Sequence, residues 1–120
     1  MFKRIVILCV FFISSFIQSQ NNNNFSDIQK GIEASYKFQL KKADSLFFNY
    51  IGRFPESPAG YHYLSQLHLW YYLGSRNEAE RLIFEKYSQL ALRKAEVLLE
   101  DNDDNPSVHF ILGQIYTLRA

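Results

Sequence analysis

The sequence lacks several features on which common protein functions depend. Its single cysteine, Cys9, lies in an apolar N-terminal stretch, so the rest of the chain can form no disulfide bond. Its five glycines are widely spaced and form no phosphate-binding loop. The 13 basic and 12 acidic residues are interspersed, whereas nucleic acids are bound by clustered Lys and Arg. These absences argue against a disulfide-stabilised scaffold, a phosphate-loop enzyme and a nucleic-acid-binding protein.

Motifs of catalytic and metal sites are also missing, since H-E-x-x-H, C-x-x-C and G-x-S-x-G do not occur. His62 and His68 are six residues apart, about 240° around a helix, so they cannot share one metal ion from one face. Residues 101–105 resemble the start of a calcium loop, but Pro106 replaces its glycine and Leu112 its closing acidic residue. We therefore predict no catalytic residue, no metal site and no cofactor, and we do not expect an enzyme.

The N-terminal residues predict a secretory signal peptide. Lys3 and Arg4 precede an apolar run over residues 5–17, which is shorter than the roughly 20 residues that span a bilayer. A basic start, a short apolar centre and a small-residue exit are typical of exported proteins. We predict cleavage after Ser19, with the signal peptide at 1–19 and no transmembrane segment in the mature chain.

The mature chain is predicted to contain one small domain after a short spacer. Residues 20–25 include four consecutive asparagines with nothing to bury, so we expect a disordered spacer, followed by a helical domain at 26–120. Without the signal peptide, eleven basic residues face twelve acidic ones and the net charge becomes −1. The predicted location is the periplasm, the outer membrane surface or the exterior. Cys9 lies inside the apolar run, so a lipid anchor is not expected.

Apolar residues recur at helical spacing throughout 26–120, which predicts an all-α fold of about five helices. The predicted helices cover residues 27–38, 43–54, 58–73, 76–100 and 106 onwards. Ser57 and Asn105 are predicted to cap the third and fifth helices, and a capping box at 75–78 the fourth. Gly74 is expected to adopt the left-handed conformation that ends the third helix. The predicted inward residues of the fourth helix are Ala79, Leu82, Ile83, Tyr87, Leu90, Ala91 and Leu98.

Two segments match the two halves of one helical repeat. Residues 43–55 contain A-x3-F-x7-P, the second half of the tetratricopeptide pattern, with Gly31 as the small residue of the helix before it. Residues 109–116 read H-x2-L-G-x2-Y, the first half, with His in place of Trp. From about residue 25 to residue 120 the chain therefore resembles the tetratricopeptide-repeat (TPR) family.

The chain departs from this family in two ways. Pro58 and Pro106 stand at equivalent starts but are 48 residues apart, whereas the family period is 34. We assign the 14 extra residues to the fourth helix. The second departure is that the sequence stops at Ala120, within the fifth helix, where a solenoid end would have a polar cap. We expect 26–120 to be the N-terminal part of a longer array, or else the fifth helix to be covered by something other than a following repeat.

The resemblance implies a TPR-like α-solenoid of antiparallel helix hairpins, in which the first helix of each pair lines a concave groove. Trp70 could instead pack beneath the fourth helix, and both interpretations stay open. The groove positions carried over by spacing are Tyr36, His62, Gln66, Trp70, Phe110 and Gln114.

Such a groove implies a scaffold or adaptor that binds a protein or peptide in the bacterial cell envelope. The alternative is that the segment is the helical recognition domain of a larger exported enzyme or nutrient-binding protein, whose active part lies beyond residue 120. A third hypothesis is self-association through the long fourth helix.

Overall fold

The computed structural model describes residues 26–120, so the predicted signal peptide (1–19) and spacer (20–25) lie outside the described residues. Over 26–120 the chain forms five helices and no strand, and the prediction of an all-α fold is confirmed. The helices are α1 (residues 26–36), α2 (Leu40–Arg53), α3 (Pro58–Ser75), α4 (Glu78–Asp101) and α5 (Pro106–Arg119).

Side-chain oxygens cap the N-termini of α3, α4 and α5. Each accepts a hydrogen bond from the backbone N–H two residues later, at 3.4 Å for Ser57, 3.0 Å for Asn77 and 3.1 Å for Asn105. These bonds satisfy donors that a helix start leaves without a partner. The predictions for Ser57 and Asn105 are confirmed, whereas α4 begins at Glu78 with Asn77 as its cap, two residues later than predicted.

The link between α3 and α4 differs from the prediction for Gly74. Gly74 lies inside α3, no glycine of residues 26–120 has a positive φ, and Arg76 instead adopts the left-handed conformation with φ 57°. At the end of α3 the Ser75 hydroxyl donates to the Tyr71 carbonyl at 2.7 Å and accepts from the Asn77 N–H at 3.2 Å. The two residues Arg76 and Asn77 therefore form the whole connection between α3 and α4.

Phe38 forms the corresponding turn between α1 and α2, also with φ 57°, and its ring is 87% exposed. A left-handed backbone costs a non-glycine residue about 1–2 kcal/mol. We expect Phe38→Gly to raise the free energy of unfolding by about 1 kcal/mol, measured by urea denaturation. Gln39 has φ −84°, so Gln39→Gly is the matched control and should lower stability instead. A loss of stability in both variants would contradict the prediction.

The core has two parts that meet at α3. The first lies among α1, α2 and α3, where Phe47 is fully buried and stacks on Tyr63 with ring centroids 5.9 Å apart. Gly31 admits this ring, because a Cβ there would lie 2.4 Å from Phe47 Cε1. The second lies among α3, α4 and α5 around Tyr61, Ala91 and Ile115. Small residues therefore stand where two helices approach closely, as the sequence predicts.

The inward side of α4 agrees in part with the predicted one, since Ala91 is fully buried and Tyr87 and Leu90 pack against the second part of the core. Its buried residues are Phe84, Ser88, Ala91 and Ala95. Ala79 and Leu82, both predicted to face inward, are exposed, Leu82 by 57%. The extra residues of the hairpin formed by α3 and α4 are divided between its two helices, because α3 has 18 residues and α4 has 24. The sequence analysis assigned all of the extra residues to α4, whereas the structure shows that α3 is lengthened as well.

Over residues 26–120, no helix combines the length and the apolar character that crossing a membrane requires.

Candidate binding site

The six predicted groove residues lie on helices α1, α3 and α5. Tyr36 of α1 meets Trp70 of α3 edge to face, with ring centroids 5.8 Å apart. Trp70 is half-buried in this contact, whereas Tyr36 is exposed. This pair is separate from the other four predicted residues. Those four lie together beside the N-terminal half of α3.

A cavity of about 460 Å³ lies between α3 and α5, and we call it the α3–α5 cavity. His62, Gln66, Phe110 and Gln114, four of the predicted residues, line it. The other residues that line the cavity were not predicted from the sequence, although residues 113, 117 and 118 are three or four positions from residues 110 and 114 and so share a face of α5 with them. These other residues are His109, Gly113, Thr117 and Leu118.

The polar part of the cavity contains buried atoms that have no hydrogen-bond partner. His62 is fully buried, and neither its Nδ1 nor its Nε2 is hydrogen-bonded within the described chain. Gln114 Oε1 is buried in the same way. Burial lowers the pKa of His62 to about 4, because a charged ring is poorly solvated there, and the interaction of the ring with the Gln114 side chain opposes this shift. His62 is therefore neutral at pH 7.

A second, apolar cavity of about 430 Å³ adjoins the first and is lined by residues of α1, α2, α3 and α5. Ile28 of α1, Ala59 and Tyr63 of α3, and Ile111 of α5 contribute most of its apolar character. Phe110 lines both cavities and is 64% exposed. An extended ligand on this side would contact Phe110 whichever cavity it occupied.

His68 lies away from both cavities, in a polar cluster that joins three helices. Its Nδ1 is 2.5 Å from Glu80 Oε2 of α4, and its Nε2 is 3.1 Å from Asp44 Oδ1 of α2. The two carboxylates therefore approach different nitrogens of the ring and do not converge with it on one point. Within the described range, no group of three or more His, Cys, Asp or Glu is arranged to hold a metal ion.

Comparisons of the chain with models of protein families, with curated proteins and with solved structures found no match. The similarity to the tetratricopeptide pattern therefore rests on the sequence of residues 43–55 and 109–116.

Proposed function

We propose that this chain is a protein- or peptide-binding scaffold of the bacterial cell envelope, and that it binds through the side formed by α1, α3 and α5. The observation that supports this proposal is the α3–α5 cavity, because four groove residues chosen by repeat spacing line it. Its volume lies in the range of natural ligand sites, which is roughly 300–1,000 Å³. The envelope location rests on the predicted signal peptide at 1–19.

The packing of the helices is consistent with a TPR-like α-solenoid, which is part of the proposal. Consecutive helices α2 to α5 pack on their neighbours, and α3 also contacts α5, as first helices of successive repeats would. Gly31 against Phe47 and Gly60 against Tyr50 are close helix approaches of the kind that small repeat residues permit.

The chemistry of this side suits an extended peptide. Aromatic rings supply large contact areas at a small cost in side-chain entropy, and they often dominate binding energies. Tyr36, Trp70 and Phe110 are available for such contacts, because each is exposed or half-buried. The α3–α5 cavity and the adjoining apolar cavity share Phe110 in their linings, so the two cavities would accept two side chains of the same peptide.

A displayed library of random peptides, selected on the full 120-residue chain, tests this proposal. We expect enriched peptides whose affinity falls at least about tenfold on Phe110→Ala, because truncation of a central aromatic residue commonly costs about 2 kcal/mol. Tyr116→Ala is the matched control, since Tyr116 is also on α5 and 56% exposed but lines neither cavity. A lack of enrichment, or equal effects of both variants, would reject the proposed function.

A further inference from the structure

Phe38, in the turn between α1 and α2, has a conformation and an exposure that folding alone does not favour. Its backbone is left-handed, with φ 57°, and its ring is 87% exposed. Glycine adopts this conformation without strain, and an exposed ring contributes no burial energy. Strained residues of this kind occur preferentially at functional sites. Residues 37–42, which we call the Phe38 turn, are therefore a candidate interaction surface.

Backbone hydrogen bonds hold the Phe38 turn in this conformation. The Phe38 N–H donates to the Ser35 carbonyl at 3.1 Å, and the Gln39 N–H donates to the Ala34 carbonyl at 2.9 Å. This pair of bonds forms a Schellman motif, in which a left-handed residue follows the end of a helix. The backbone on both sides of the ring is therefore anchored to α1, and the Phe38 side chain projects from it into solvent.

Exposed lysines give this part of the molecule a positive charge. Residues 28–42 contain four of them and a single acidic residue, Glu33, which gives a net charge of +3. The four are Lys30, Lys37, Lys41 and Lys42. Glu33 pairs with Lys37 at 2.8 Å, and the other three lysines form no ion pair within residues 26–120. The remainder of residues 20–120 has seven basic and eleven acidic residues, so positive charge is concentrated around the Phe38 turn.

Three of these lysines surround a small cavity of about 130 Å³ beside the turn. Lys30, Lys37 and Lys42 line it, and so does Gln39. Phe38 stands between Lys37 and Gln39 in the chain, so its exposed ring and the ammonium groups are at the same end of the α1–α2 hairpin. Aromatic rings among lysines are typical of protein surfaces that bind the interface of a bilayer.

We propose that the Phe38 turn, together with Lys30, binds the surface of a bilayer that contains anionic phospholipids. The ring enters the boundary between headgroups and acyl chains, while the ammonium groups bind headgroup phosphates. A protein partner fits less well, because it must offer a complementary hollow to a projecting ring, whereas a fluid bilayer adapts to the ring. This inference goes beyond the proposed function and uses none of the residues that line the two cavities beside α5.

Co-sedimentation with vesicles of two compositions tests this inference. The protein is expressed from its complete sequence and purified in the form that the cell leaves, so every variant has the same N-terminus. One kind of vesicle contains equal parts of phosphatidylcholine and phosphatidylglycerol, and the other contains phosphatidylcholine alone. We expect at least about tenfold stronger partitioning onto the anionic vesicles, and a decrease as salt is added, because lysines near an anionic surface each contribute to binding. Equal partitioning onto both kinds of vesicle, or none onto either, would overturn the inference.

Variants of Phe38 show whether its ring enters the bilayer. Phe38→Ala should weaken partitioning onto the anionic vesicles at least about fivefold, because the ring loses its burial in the interface. Tyr116→Ala is the matched control, since it truncates a ring that is also exposed but lies on α5, and it should leave partitioning unchanged. Phe38→Gly should weaken partitioning as well, although it is expected to stabilise the fold, so unfolding cannot explain the loss. Equal effects of Phe38→Ala and Tyr116→Ala would contradict the inference.

Variants of the lysines show whether the charge around the turn is required. Lys41→Gln combined with Lys42→Gln should weaken partitioning at least about tenfold. Lys86→Gln combined with Arg93→Gln removes the same charge from exposed positions of α4 and should have a much smaller effect. Equal losses in the two double variants would show that only the net charge of the protein matters and would refute the proposed surface. Binding of soluble polyglutamate without binding to anionic vesicles would indicate an acidic protein as the partner and would also refute it.

Discussion

Replacement of Gly31 by alanine is expected to lower the free energy of unfolding by about 2 kcal/mol. The new Cβ would lie 2.4 Å from Cε1 of the Phe47 ring, closer than non-bonded carbons can approach. Phe47 is fully buried and stacks on Tyr63, so its ring has no free space to occupy. Overpacking costs about 1–3 kcal/mol, and a contact as short as 2.4 Å belongs at the upper end of this range. Subtracting the gain of about 1 kcal/mol that alanine brings to a helix leaves a net loss of about 2 kcal/mol.

Urea denaturation of four variants distinguishes this clash from a general effect of alanine. Gly52→Ala is the matched control, because Gly52 is also helical but nothing lies within 4 Å of its added Cβ, and it should gain stability. Phe47→Leu should cost less in the Gly31→Ala background than alone, since the smaller side chain relieves the clash. Additive costs in the double variant would show that Gly31 and Phe47 do not interact in this way.

Acidification is expected to destabilise the protein through His62, by about 3 kcal/mol between pH 7 and pH 4. Its pKa is about 4 in the folded state, because of burial, and about 6.5 in the unfolded chain. Between these values the unfolded state binds more protons, so stability rises with pH. The contribution is therefore complete above about pH 6.5 and is lost as the pH falls towards 4. Each pKa unit corresponds to 1.36 kcal/mol, which gives the stated total.

Chemical denaturation at intervals between about pH 4 and about pH 7 measures this loss. Carboxylates also titrate in this range, so the informative quantity is the difference between wild type and His62→Phe, in which those other groups remain. That variant should lose the part of the pH dependence that belongs to His62. His109→Phe is the control for replacing a histidine by phenylalanine, because it makes the same change at an exposed position. Equal slopes in wild type and His62→Phe would refute the assignment.

Of the two structural features behind these predictions, the sequence could predict one and not the other. The close approach at Gly31 was predictable, because the small residue and the A-x3-F-x7-P segment have the spacing of a known helical repeat. The burial of both nitrogens of His62 was not predictable, because the sequence placed His62 only on the groove side of α3. A pattern of spacing gives the face on which a residue lies, but not the depth of its side chain.

The sequence by itself determined the helical fold and several helix starts. Apolar spacing, Ser57, Asn105 and the prolines that follow them act within a few residues, so their effects are independent of the rest of the chain. Local sequence signals gave a wrong prediction at the link between α3 and α4. The helix α3 continues past Gly74 to Ser75, and the left-handed conformation falls on Arg76.

Only the tertiary structure decided the candidate site. Ala91 and Ala95 are fully buried on α4, and together with Tyr61 and Ile115 they fix how α3 and α5 pack on that helix. The width of the α3–α5 cavity follows from this packing, and so does the burial of His62. Since these distances depend on residues far apart in the chain, periodicity could name the groove residues but could not show which of them share a cavity.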